Sequence, residues 1–172
     1  METAYYLNKF QRIADRFDIG LLNEKQLEVT TGVWLNSVVL KLQKEAWRHQ
    51  SEKGEASIFF SVWINYEAVN GSKIFYNIYA LKLRELKGYF ISSREFAIAF
   101  RERFSAFEER WPNVSTQYGP QTLMQGWQTI DLEDFDAEVV LLVNQFLQID
   151  FIISGLLAER KSSPSKTISS LT

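Results

Sequence analysis

Residues 57–83 read SIFFSVWINYEAVNGSKIFYNIYALKL. Apolar and other side chains alternate with a period of two on both sides of Asn70-Gly71, a dipeptide that readily supplies two positive-φ residues. The pattern predicts a long β-hairpin closed by a two-residue type I′ turn. Such a turn sets Val69 opposite Ser72 and pairs Tyr66 with Phe75, Ile64 with Asn77, Val62 with Tyr79 and Phe60 with Leu81. That face is almost wholly apolar. The other face carries Phe59, Ser61, Trp63, Asn65 and Glu67 against Ile74, Tyr76, Ile78 and Ala80, a mixture of rings with small and polar groups. One face is therefore expected to be core, and the second to be incompletely roofed by its own chain and open to a partner. An isolated hairpin is marginal in water, so the flanking sequence must supply further strands and a helical layer.

Upstream, Tyr6, Phe10, Ile13 and Phe17 recur at helical spacing, predicting an amphipathic helix over about residues 3–17 that ends near Gly20. Leu27-Glu28-Val29-Thr30 reads as a short strand, with Gly32 as a break. Alternation of Val38, Leu40 and Leu42 favours a strand beside the hairpin, although Lys41–Trp47 is also compatible with a helix. Residues 50–54 read as a polar turn.

Downstream, Ser92 and Glu95 form the N-cap and N3 of a capping box, with Ile91 and Phe96 at the positions of a hydrophobic staple. The helix is expected to carry Phe96, Phe100, Phe104, Phe107 and Trp111 on one stripe and to stop before Pro112. Burying one such Phe contributes roughly 1.5–3 kcal/mol, which makes this stripe a main attachment to the sheet. Residues 113–125 read as a long connection, followed by a short strand through Trp127, Thr129, Ile130 and Leu132. A final helix opens at Asp134 and buries Phe135, Val139, Leu142, Phe146, Ile149, Ile153 and Leu156. The expected fold is α+β: an antiparallel sheet of about 3–5 strands with about three helices, mainly on one face. Residues 1–160 form a single domain in this reading, and 161–172 a disordered Ser-rich tail.

The chain has 172 residues, 46% of them hydrophobic and 15% aromatic, with a formal net charge of −2. That charge argues against nonspecific phosphate binding over the whole surface. The absence of cysteine excludes disulfides, thiol catalysis and thiolate metal sites, and suits a reducing compartment. The single histidine, His49, excludes Ser-His-Asp and multi-histidine centres and reads as a surface residue. No phosphate loop or dinucleotide fingerprint is present. Residues 1–5 do not resemble a secretory signal, and the apolar run over 139–157 is interrupted by Asn144, Gln145, Gln148 and Asp150, so a soluble cytoplasmic protein with no membrane association is expected.

The residues favour a noncatalytic protein-binding or self-associating domain without a cofactor. Its candidate contacts are Trp63, Tyr76, Trp111, Tyr118 and Trp127, the last three in or beside an aromatic and amide-rich loop. The alternative is a nucleic-acid-binding or Mg²⁺-dependent nuclease-like domain. It would combine Glu67, Glu85 and Lys87 with a basic cluster of Lys82, Arg84, Lys87, Arg94 and Arg101. Glu85-Leu86-Lys87 supplies an acid-x-lysine triplet, but no Asp occurs between Asp18 and Asp131 to partner it. The acidic group Asp131, Glu133, Asp134, Asp136 and Glu138 is accounted for by helix-start electrostatics.

Overall fold

A computed structural model describes residues 1–162. Its centre is an antiparallel sheet of six strands: β1 (Leu27–Trp34), β2 (Ser37–Lys44), β3 (Arg48–Ser51), β4 (Gly54–Ile64), β5 (Lys73–Leu81) and β6 (Thr122–Thr129). Spatial order follows chain order, β1-β2-β4-β5-β6, and β3 continues the β2 side of β4 past a single turn of 3₁₀ helix at Glu45–Trp47. The expected α+β class holds, with more strands and more helices than the sequence suggested.

The hairpin pairing is present, but its register differs from expectation. Residues Tyr66–Asn70 wind into a short helix, α3, whose N-cap Asn65 accepts a hydrogen bond at Oδ1 from the Ala68 N–H at 2.9 Å. Gly71 lies at φ −87°, and the positive φ falls on Ser72 instead, at 51°. This longer connection sets Ser61 rather than Ile64 opposite Asn77, a slip of three positions. An odd slip exchanges the faces of one strand relative to the other. Tyr76 and Ile78 thereby join Phe60 and Val62 in the core, and Phe75, Asn77 and Tyr79 join Phe59, Ser61 and Trp63 on the second face.

The two-residue turn with both residues at positive φ is found elsewhere, between β1 and β2. Leu35 and Asn36 sit at φ 48° and 63°, between the paired Trp34 and Ser37. Leucine is a rare occupant of that region, and no turn dipeptide marks the position in the sequence. Gly32 lies inside β1 rather than at a break.

The helices pack on the Phe60 face. Helix α1 (Thr3–Asp15) buries Tyr6, Phe10 and Ile13 as its spacing predicted. A separate helix, α2 (Ile19–Lys25), follows where the sequence suggested a stop at Gly20; Asp18 caps it, accepting from the N–H of Gly20 at 2.8 Å. Helix α4 (Ser93–Phe104) starts at the predicted cap, with Ser92 Oγ accepting from the Glu95 N–H at 3.4 Å. It stops seven residues before Trp111, at Phe104. The break swings Trp111 beneath the sheet against Tyr76 and Phe60, with ring centres 5.2 and 6.1 Å away, while Phe107 turns to Phe151.

The expected last helix is two, α5 (Phe135–Leu147) and α6 (Asp150–Ala158), joined by a tight turn at Gln148-Ile149. Every residue predicted for its inner face is buried. Phe146 stacks on Phe60 at 4.4 Å between ring centres, 8° from parallel, which fastens α5 to the middle of the sheet. The turn also places Asp150, nearly fully buried, between Lys25 at 3.5 Å and Lys44 at 3.4 Å. The stretch Leu132–Ala158 has the length and apolarity of a membrane span, and 50% of its most apolar window is buried inside the protein. That burial is what core helices require.

Of the expected tail, 161–172, only the first two residues are described. Lys161 bridges to Tyr89, and the Ser162 N–H donates to the Gly88 carbonyl at 3.0 Å. The remainder of that segment, 163–172, lies outside the described residues.

Candidate functional site

The helices leave the second face of the sheet open, and the strand register arranges that face in rows. One row runs across Gly32, Val39, Trp63, Phe75 and Trp127. Within it the rings of Trp63 and Phe75 stack at 4.6 Å, 15° from parallel, and the Lys73 ammonium lies 3.9 Å from the ring centre of Trp127. The next row is polar: Thr30, Lys41, Ser61, Asn77 and Gln125. Beyond it Phe59 pairs with Tyr79, their rings edge-on at 5.5 Å. A polar strip is thus set between two aromatic ones.

A groove of about 480 Å³ follows this strip. Val39, Phe59, Trp63, Tyr79 and Leu81 form its apolar floor and sides, and Lys41 and Ser61 supply polar groups at its middle. Trp34 and Leu35, from the β1–β2 turn, form a rim. Leu35 is 98% exposed and Trp34 47% exposed, so the rim meets solvent with apolar surface. The Trp34 ring can lie along β1 because the residue beneath it is Gly32: a Cβ there would sit 2.8 Å from the ring's Cη2. The volume lies within the range of small-molecule sites, which combine apolar walls with a few placed polar groups.

The polar groups at the centre are unevenly satisfied. The Ser61 hydroxyl donates a short hydrogen bond to Asn77 Oδ1. Asn77 is 0% exposed, and its Nδ2 has no hydrogen-bond partner among the described residues. Lys41 holds its ammonium 4.1 Å from the ring centre of Phe59. Burial lowers its pKa from the ordinary 10.5, with Glu55 opposing and Arg48 assisting. Arg48 is itself paired to Glu28 at 3.0 Å, and Lys41 has no ion-pair partner among the described residues. Burial also raises the pKa of Tyr79, Asn77 partly offsets this, and Tyr118 adds to it.

The structure distributes the sequence-derived contact residues between the two faces. Trp63 lines the groove, Trp127 extends its aromatic row, and Tyr118, 41% exposed, lies near Tyr79. Tyr76 and Trp111 are buried under the helices. Tyr76 passes across Gly126, where a Cβ would collide with it, and donates its hydroxyl to the Pro112 carbonyl. Burial raises its pKa. The sequence could not separate Tyr76 from its neighbours, because its placement follows from the three-residue register slip. Trp34, Leu35, Lys41 and Asn77 were not singled out from the sequence. The only available signal was an apolar triplet, Val33-Trp34-Leu35, running into Asn36.

The residues of the alternative reading are scattered. Glu67 lies in α3, before β5, and Glu85 lies after it in a 3₁₀ turn, so a strand of nine residues separates them. At about 3.3 Å per residue the two carboxylates are well over 20 Å apart along the chain path. Glu85 faces Lys53 at 3.8 Å, and Lys87 is exposed. Arg101 is a structural clamp on the connection to β6, donating to the carbonyls of Tyr118, Gly119, Thr122 and Leu123. Lys82 donates to the Lys53 carbonyl at 2.8 Å, whereas Arg84 and Arg94 are exposed. In the acidic group, Asp136 pairs with Lys9 at 3.7 Å and Arg16 at 3.5 Å. Among the described residues no cluster of three or more His, Asp or Glu side chains is arranged to hold a metal ion.

No protein-family model matches the chain, and no curated protein or solved structure is similar to it.

Proposed function

We propose that this chain is a noncatalytic binding domain whose recognition surface is the open face of the sheet. One observation carries the reading: the helices roof only the Phe60 face, and the other face holds a 480 Å³ groove floored by aromatic and aliphatic side chains. Apolar surface of this kind is costly to leave in water, and covering it with an apolar body is the simplest favourable outcome. The central polar groups hold no paired nucleophile and base, so the geometry supports binding rather than turnover.

The neutral fluorophore N-phenyl-1-naphthylamine tests the reading without involving charge. Saturable fluorescence enhancement is expected with the native chain. In a Val39→Glu variant, which sets a carboxylate on the groove floor, affinity should fall at least about tenfold. Equal enhancement by the variant would contradict the assignment.

Self-association is a second reading, favoured by β1. Among the described residues it has no strand on its outer side, and its end carries the exposed Val33, Trp34 and Leu35. Unpaired edges of this kind template strand pairing between chains. Sedimentation of the native chain beside a Thr31→Pro variant, which removes an N–H directed away from β2, distinguishes it: a dimer lost in the variant supports edge pairing, and a monomer throughout removes it.

A further inference from the structure

Resting on the open face as a ligand groove, we infer that its occupant is a small amphipathic carboxylate, the acid group seated on Lys41 and the apolar body lying against Trp34, Val39 and Trp63. The head position follows from charge complementarity. Lys41 is the charged side chain lining the groove, and Arg48 nearby is committed to Glu28. A partly buried ammonium facing an apolar cleft is stabilised by an anion brought to it, because the anion replaces the water that burial removes.

The polar strip leaves the acid group to the Lys41 ammonium. Ser61 lines the groove but donates its hydroxyl to Asn77 Oδ1, and Asn77 itself is fully buried and does not line the groove. Lys41 is thus the donor that the groove offers to an anion.

The charge state is bounded as well. Glu55 and Arg48 act on Lys41 in opposite directions, and Lys41 is the charged side chain of the lining, so the site offers one cation. A monoanion fits such a field better than a phosphate dianion, which requires several cations or an array of N–H groups. The aromatic rows on both sides of the polar strip offer the body of the ligand mainly apolar surface, with Ser37 a single hydroxyl beside Trp34 and Val39, which selects an aliphatic or aromatic chain.

Calorimetric titration with octanoate and with 1-octanol, against the native chain and a Lys41→Met variant, tests the inference. The native chain should bind octanoate about tenfold more tightly than octanol, the contribution of a charge-assisted hydrogen bond. The variant should lose that advantage, binding the two ligands with affinities within about twofold of each other, and a cooperative urea transition shows that it is folded. Equal affinities with no effect of Lys41→Met would overturn the carboxylate while leaving the groove reading intact. Failure of both ligands to bind the native chain would overturn the groove reading too. Preferential binding of octyltrimethylammonium would reverse the assigned charge and overturn the inference.

Discussion

Trp34 lies flat over Gly32 in the same edge strand, its ring occupying the space a Cβ at position 32 would need, 2.8 Å from Cη2. Gly32→Ala must therefore tilt the ring away from β1 and reshape the rim of the groove. Because Trp34 is half exposed, stability should change by no more than about 1 kcal/mol. Affinity for N-phenyl-1-naphthylamine should fall several-fold. Urea unfolding and probe titration on one preparation check both parts.

Leu35 holds φ at 48° while its side chain is 98% exposed, so backbone strain is not offset by burial. Glycine adopts that conformation without the steric cost. Leu35→Gly is expected to raise the unfolding free energy by about 1 kcal/mol and to weaken ligand binding, a rise in stability at the expense of function. A loss of stability in urea would show that contacts of the Leu35 side chain outweigh the backbone strain.

Lys41 gives a pH signature. Its pKa is lowered in the folded chain by burial, against Glu55 and with Arg48, so between that value and 10.5 the unfolded chain binds more protons. Stability gained from this group therefore rises with pH across the window. The penalty is full below the folded pKa and vanishes above 10.5, where both states are neutral. Measured as the difference between Lys41→Met and the native chain, the variant's relative stability should decline as pH approaches 10.5. Tyr6, Tyr76 and Tyr79, whose raised pKa values act in the opposite direction above pH 10, cancel in that difference.

Asp150 joins α6 to both α2 and β2 through Lys25 and Lys44. Asp150→Ala leaves two partly buried ammonium groups facing each other without a carboxylate. The expected loss is roughly 1–3 kcal/mol, less than for a fully buried pair because both lysines retain some water. Chemical unfolding of Asp150→Ala beside a Lys25→Ala, Asp150→Ala double variant measures how much of it is the stranded charge.

What was legible in the sequence was local. The Ser92 cap, the Phe96, Phe100 and Phe104 stripe and the inner face from Phe135 to Leu156 were all recognisable, because capping and helical spacing are written into neighbouring residues. Strand faces were also visible within β4. What failed was register. Asn70-Gly71 carries a strong turn signal, yet Asn65 captures the Ala68 N–H first and winds 66–70 into a helix, shifting β5 by three positions. That competition between two local devices decided which of Tyr76 and Asn77 belongs to the second face. The tight turn at Leu35-Asn36 had no glycine to announce it, so the rim and the Lys41 row could not be assembled from sequence.

The most direct measurement is a ¹H–¹⁵N amide spectrum recorded as octanoate is added. A carboxylate seated in the groove gives saturable shifts concentrated on the open face, at Val39, Lys41, Ser61, Trp63 and Tyr79, with Lys41 among the largest. Shifts confined to α5 and α6 or to the outer edge of β1, or an unchanged spectrum, would contradict it.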